Sequence, residues 1–405
     1  MPTRQPNMRM RSSTRKEAQA ARITALWFGV QLIWGAVLGI SLQARCVQLA
    51  GDASLATFGV IAASGAFAAA ITQLIVGPLS DTLRRRGHDR SVFYASGALC
   101  GAVSVIIFYD SASVHALLWS FVALQVSLNL VIGPYQAIIP DTVASSRFGV
   151  ASAWLAALGS AGNACGAVLA SLLGAARMLG SILAAGLVLS AAITLAHLRR
   201  VSLRPIPAVA PFAPARTLID LFVSRGLIYL GFYTVLGYLY FFVATLATNA
   251  TRTTGLCVLL FTVVGAVGAV LAARPSDRSD ERLVVTIGGG LVAISVMALA
   301  AFHSIPALVP TIGLAGVGWG IFLCGDWAFA CRLLPPAMLA TTMALWNLAV
   351  VGPQMLAPLV ATTLLFRLHT LGNGAGPRDA LVLAGAEMLI GALWIWRLPP
   401  SRTGN

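Results

Sequence analysis

Apolar runs of about twenty residues or more alternate along the chain with short polar breaks. The runs lie at about 23–44, 54–80, 92–109, 115–139, 148–173 and 178–196, and then at about 218–247, 254–273, 283–302, 306–331, 339–365 and 379–397. A helix rises about 1.5 Å per residue, so each run can cross a hydrocarbon layer of about 30 Å. The runs are too continuous for the in–out alternation of barrel strands. That leaves helix as the element that satisfies every backbone group in lipid. The pattern predicts an all-α polytopic membrane protein with twelve transmembrane helices. Its parts are a polar, arginine-bearing tail at 1–22, expected to be disordered, a six-helix bundle at 23–196, a link at 197–217, a second six-helix bundle at 218–397 and a short tail at 398–405. The link carries prolines at 205, 207, 211 and 214, which disfavour helix there. The first apolar run is long enough to span and no small-residue cleavage site follows it, so it is expected to remain as an uncleaved first span.

Composition supports this reading. Of the 405 residues 58% are hydrophobic and 10% charged, with mean hydropathy +0.85, whereas soluble domains carry about 25% charged residues. The net charge of +14 could suggest nucleic acid, but the basic residues sit in short loops between apolar runs, where they act as topology determinants. With the N-terminus inside, 21 of the 27 Lys and Arg fall on the inner side and five on the outer, with Arg225 inside a span. Both termini are therefore expected in the cytoplasm, with the protein in the plasma (inner) membrane. The six cysteines, at 46, 100, 165, 257, 324 and 331, form no CxxC pair and mostly lie in apolar runs, which points to packed thiols. The one lysine, Lys16, has no glycine-rich phosphate loop around it. The histidines at 88, 115, 197, 303 and 369 lack ligand spacing. No enzyme, cofactor or metal site is expected. The sequon Asn249-Ala-Thr251 falls on the predicted outer face and is of a kind frequent by chance.

The two halves repeat. Ser80-Asp81 matches Ser276-Asp277 at an offset of 196, Pro140 matches Pro335 at 195, and Trp154 matches Trp346 at 192. A near-constant offset predicts two six-helix halves of the same orientation, an arrangement used by carriers that rock two bundles about a midplane site.

The basic stretch from Gly77 to Phe93 then becomes informative. Gly77, Leu79, Ser80 and Asp81, followed by arginines, resemble the loop between the second and third helices of the major facilitator superfamily. Thr82 and Arg84 depart from the common short form. The later glycine, Gly87, followed at a distance by Arg90, is closer in spacing to the glycoside/sucrose cation-symporter branch, as is the stretch from Gly133 to Asp141 and that from Gly316 to Asp326 and Trp327. The resemblance covers nearly all of 23–397. It implies a major-facilitator fold of two parallel six-helix repeats, and a small-molecule substrate moved by alternating access by a monomer surrounded by lipid, with no nucleic-acid partner. It also implies a conformational latch at Gly77, Asp81, Arg90 and, in the second half, Asp277. In that latch Asp81 would face the start of the eleventh helix near Leu339–Met343; the plainer alternative is a helix cap beside arginines. Acids that bind the coupling cation in sugar symporters of the branch lie partly in the second helix, but residues 54–80 hold no acid.

Ionisable groups at membrane depth are candidates for function by default. Asp326 is the coupling candidate, as a proton or cation site, with a fixed salt bridge equally open. Glu387 is expected to serve packing. Arg225, near the start of the seventh run, is expected to snorkel to the inner surface. Candidates for a substrate cavity are Gln31, Trp34, Gln125, Asn129, Tyr229, Tyr233, Trp319, Trp346 and Asn347, since amides can hydrogen-bond a solute and rings can stack on it, although each alone more often joins helices. The small-residue stretch Gly159–Gly166 faintly resembles a motif of drug/proton antiporters, with Asn163 in place of the proline, and packing explains it as well. The function expected is secondary transport of a small organic solute, proton-coupled, with efflux of a drug or secondary metabolite, or a transport-inactive membrane scaffold, as the alternatives.

Overall fold

A computed structural model describes residues 5–174, 176–201, 215–248, 250–334, 341–343, 345–354, 356–357 and 376–400. Helices dominate, and no strand occurs among the described residues. They are α1 (Gln5–Ala36), α2 (Leu42–Ala50), α3 (Ser54–Arg85), α4 (Ser91–Asp110), α5 (Val114–Tyr135), the short α6 (Ile138–Thr142), α7 (Phe148–Leu173), α8 (Arg177–Leu198), α9 (Ala215–Ala244), α10 (Ala250–Arg278), α11 (Glu281–Leu299), α12 (Ile305–Leu333) and α13 (Pro377–Trp394). Ten helices among the described residues are long and apolar enough to cross a membrane. The first expected span lies on α1, which continues through a π-helical turn, Val37–Ser41, into α2. The eleventh, expected at 339–365, is helical at 341–343 and 345–354, and its remainder lies partly outside the described residues, as does most of the proline-bearing link.

The basic tail departs from expectation. The helix begins at Gln5 and runs without a break into the first span. Pro6 stands in the first turn, where a missing N–H does no harm, and the following Arg, Lys, Gln, Glu and Ala residues are good helix formers.

The chain divides into two compact units, Met1–Ala210 with Pro336–Ala344, and Pro211–Pro335 with Leu345–Asn405. In the first, α1 packs on α7 and α8, α3 on α5, and α4 on α5 and α8. In the second, α9 packs on α13, α10 on α12, and α11 on α12 and α13. The pairings correspond: α1–α8 to α9–α13, α3–α5 to α10–α12, and α4 with α5 and α8 to α11 with α12 and α13. The repeat seen in the sequence is therefore also a repeat of packing.

Lipid supplies little hydrophobic drive between helices, so close approach through small residues matters more. A Cβ at Gly162 would meet the Phe28 carbonyl, and one at Gly166 the Leu32 carbonyl. Gly320 stands in the same relation to the Gly265 carbonyl, and Gly268 to that of Val317. The Gly159–Gly166 stretch is thus accounted for by the α1–α7 crossing. Large apolar side chains such as Phe67, Leu172, Trp119 and Ile294 point outward and are more than half exposed, as lipid-facing positions should be.

Candidate functional site

Four buried polar groupings stand out among the described residues, one at the basic loop, one at its counterpart in the second unit and two at membrane depth. The loop turns at Gly87, whose φ of +87° is left-handed and favours glycine. This brings Arg90, the residue before α4, back under the end of α3. Arg90 donates from Nε to Asp141 Oδ2 at 2.8 Å and from Nη2 to Asp81 Oδ1 at 2.9 Å, and from Nη1 to the Ser80 hydroxyl. Arg84 Nε lies 4.0 Å from Asp141 Oδ1. Asp81 and Arg90 are both buried. Burial alone would lower the Arg90 pKa, but Asp141 and Asp81 outweigh it and hold the guanidinium above its ordinary value. The other oxygen of Asp81 accepts from the Thr341 backbone N–H at 2.8 Å and from the Thr341 hydroxyl at 2.7 Å. Gly77, one turn back on α3, is buried.

The second unit holds a degraded counterpart. Asp277, at the end of α10, accepts from Arg332 Nη2 at 2.9 Å, and the same arginine donates to the Ser276 carbonyl at 3.1 Å and pairs with the buried Glu281. The cation here comes from α12, not from the start of the following helix.

At depth in the first unit, Gln73 on α3 donates to Asn129 Oδ1 on α5 at 2.5 Å, and Asn129 donates to the Gln125 carbonyl at 2.8 Å and its side-chain oxygen at 3.3 Å. All three are buried. Gln31 and Trp34, on α1, are half-buried, and Gln31 lies beside Gly159 of α7.

In the second unit Arg225 on α9 pairs with Asp326 on α12, each 2% exposed. The guanidinium lies over the Trp346 ring at 3.5 Å from its centroid, with Tyr229 at 4.9 Å and Trp327 at 5.9 Å. Such stacking is favourable for a cation removed from water. A second layer of rings continues from Tyr229: Trp319 stands edge-on to it at 5.3 Å, Phe232 stacks on Trp319 at 4.4 Å, and Tyr233 adjoins both Tyr229 and Phe232. Asn347 follows Trp346 and is half-buried. Elsewhere in this unit Glu387 on α13 accepts from the Thr234 hydroxyl on α9 at 3.2 Å, a contact across a packed helix pair.

The structure thus joins Tyr229, Tyr233, Trp319, Trp346 and Asp326 in one cluster, and Gln125 with Asn129 in another. It corrects the expectation for Arg225. The side chain does not snorkel, because it starts about 13 Å up the helix from Arg216 and finds a carboxylate and ring faces nearer than the surface. Sequence reasoning missed Gln73 and the anchoring role of Asp141. An amide in the second apolar run was visible as a signal for the first, and an acid closing the fourth run opposite a loop arginine for the second.

A polytopic bundle of repeated helical units with buried ionic and amide groups at depth has the build of a membrane carrier. The sequence profile of the Major Facilitator Superfamily matches residues 23–358, and the chain belongs to that family. It is a membrane transporter and not an enzyme. Among solved structures, the human organic anion transporter MFSD10 (TETRAN) is similar with a TM-score of 0.72 at 15% identity, over 94% of this chain and 99% of that chain. A bacterial homologue of the iron transporter ferroportin in an outward-facing state gives 0.70 at 16% identity, over 94% and 98%. The proton:xylose symporter XylE, bound to a bromo-deoxyglucose, gives 0.66 at 14% identity, over 96% and 97%. At these identities the likeness establishes the major-facilitator fold. No curated protein matches the chain by sequence.

Proposed function

We propose that the protein is a proton-coupled secondary transporter of a small organic solute, working as a monomer by alternating access in the plasma membrane with both termini cytoplasmic. The observation that carries this is the Arg225–Asp326 pair, buried between two spans and ringed by aromatic faces. A buried ion pair contributes little net stability compared with apolar residues of the same volume, so its place in an otherwise apolar span favours a role in the transport cycle. Asp326 serves as the proton-accepting group. Arg225 is the counter-ion that exchanges partners, and the rings of Tyr229, Tyr233, Trp319 and Trp346 contact solute. Gln31, Trp34, Gln125, Asn129 and Asn347 are the remaining candidate solute contacts. Asp81 acts as the latch, released when Thr341 withdraws its two donors, with Arg90 and Gly77 setting its position and Asp277 as the weaker counterpart. The loop spacing stands near the glycoside/sucrose cation-symporter branch, but the absence of an acid in 54–80 argues against sodium-coupled sugar uptake.

The test is reconstitution into liposomes carrying a pH-sensitive dye, with a solute panel, comparing the parent with Asp326→Asn. Solute-dependent proton movement that the substitution abolishes is the expected result. Solute flux without proton movement, unchanged in the variant, removes Asp326 from the mechanism.

A further inference from the structure

The groups left unsatisfied about Arg225 are of one kind. Among the described residues Arg225 Nε has no hydrogen-bond acceptor, and neither has Trp346 Nε1, though the two residues are 2% and 3% exposed. Burying a donor without a partner is unfavourable, and here two such donors lie on side chains that stack on each other. What completes them is an acceptor. The charges are equally specific. One guanidinium meets one carboxylate, and the next arginine along α12, Arg332, is committed to Asp277 and Glu281. An anion entering beside Arg225 leaves the site one negative charge in excess, unless Asp326 takes a proton. A protonated Asp326 with a free Arg225, by contrast, leaves one positive charge in excess and two empty donors. The walls are flat and apolar: Trp346 and Trp327 by the guanidinium, then Tyr229, Trp319 and Phe322.

Building on the proton-coupled reading, we infer that the substrate class is an aromatic monocarboxylate or a like oxyanion of single charge. Its oxygens take the Arg225 and Trp346 donors and replace Asp326 when that carboxylate is protonated. The exchange balances: one proton moves onto Asp326, one anion moves onto Arg225, and the net charge of the site stays at zero. A dianion such as a phosphate monoester would lack its second cation. A cationic solute would meet Arg225 as a like charge. Among the described residues the titratable and charged groups about Asp326 are few. Arg225 and Tyr229 face it from α9, and Cys331 lies near it on α12. The helices packed on α12 carry Arg274, Asp277, Arg278, Glu281 and Arg282 at the end beside Arg332, and Arg252 at the other. Asp326 is therefore the group whose protonation controls the guanidinium.

The experiment uses the full chain in detergent and follows quenching of tryptophan fluorescence by benzoate, benzamide, benzylamine and acetate at about pH 5.5 and about pH 8. Benzoate is ionised at both, so any difference comes from the protein. A hydrogen-bonded charged contact is commonly worth one or two powers of ten in affinity. Benzoate is expected to bind the parent about tenfold more tightly at the lower pH, and benzamide, benzylamine and acetate far more weakly. Asp326→Asn mimics the protonated acid and should bind benzoate tightly at both values, with the pH difference gone. Trp346→Phe keeps the ring face and removes one donor, and should weaken benzoate about fivefold while sparing benzamide. Benzamide or benzylamine binding as tightly as benzoate overturns the inference. So does Asp326→Asn binding benzoate more weakly than the parent at the lower pH, or a folded parent, shown by a cooperative melt, that binds no carboxylate. The two readings fail separately: proton movement driven in liposomes by benzylamine or a neutral solute and never by benzoate keeps the proton-coupled carrier and ends the anion class.

Discussion

At Arg225 and Asp326 the penalties for losing one partner and for losing both are of different sizes. Removing one leaves a bare charge in a low-dielectric interior, which commonly costs about 3–5 kcal/mol, while replacing both with apolar groups of similar volume is near neutral. Asp326→Ala is therefore expected to lower the melting temperature of the purified protein clearly, and the double variant Arg225→Met with Asp326→Leu to restore most of it while transport stays lost. A double variant no more stable than the single one would show that the pair holds the helices together, which would end its role as a switch. A second contrast applies to Asp81. Asp81→Asn keeps an oxygen for Thr341 but loses the charge that faces Arg90, whereas Thr341→Val removes the hydroxyl donor and keeps the N–H. Solute flux into liposomes should fall about tenfold or more in the first and less in the second, because a bond to a charged group is worth about 1.5–3 kcal/mol and a neutral one about 0.5–1.5. Sequence made each of these groups conspicuous: Asp326 as an acid in an apolar run, Asp81 through its motif. It could not pair Arg225 with Asp326, since 101 residues separate them and nothing in periodicity states which helix faces face each other. Choosing the surface for Arg225 followed from judging the side chain by its own helix alone.

Helices in these units meet through glycine, so glycine substitutions should split by sign according to what faces them. Gly166 of α7 faces the Leu32 carbonyl on α1, and Gly320 of α12 faces the Gly265 carbonyl on α10. A valine at either position has to separate two backbones, and overpacking of this kind typically costs about 1–3 kcal/mol. Gly290 on α11 meets nothing within 4 Å, so Gly290→Ala should be neutral or stabilise by up to about 1 kcal/mol through helix propensity. Thermal melts in detergent of Gly166→Val, Gly320→Val and Gly290→Ala test this; a loss in the third equal to that in the first two would contradict the packing described here. At this scale the sequence was most legible. Length and hydropathy place the spans, and Pro78 and Pro134 do not break α3 and α5, because helix in lipid is held by its neighbours. The basic tail read as disorder because its face is polar all round, yet without glycine or an internal proline nothing stops the helix of α1 from running back to Gln5.

For the molecule as a whole, orientation rests on charge and on the repeat together. In the proposed orientation, which follows the split of Lys and Arg, the turn at Gly87 and the turn at 279–280 face the inner side, and the turns at 111–113 and 300–304 the outer. The equivalence of pairings between the units, α3–α5 with α10–α12 and α4–α8 with α11–α13, adds a constraint that charge alone does not supply: positions related by the repeat must lie on the same side. Ala112 and His303 are related in this way. Alkaline phosphatase, which folds only outside the cytoplasm, should thus be active when fused after Ala112 and after His303, and inactive when fused after Gly87 and after Ser279. Opposite activity at Ala112 and His303 would mean an inverted repeat and a miscounted span. Equal but reversed activity at all four would keep the repeat and overturn the sidedness, moving Asp81 and its partners to the outer surface. The charge count argues strongly against the second result. Each arginine near an inner turn resists translocation, and a reversed chain would have to carry the arginines at 84, 85, 86 and 90 across the bilayer with the second and third spans.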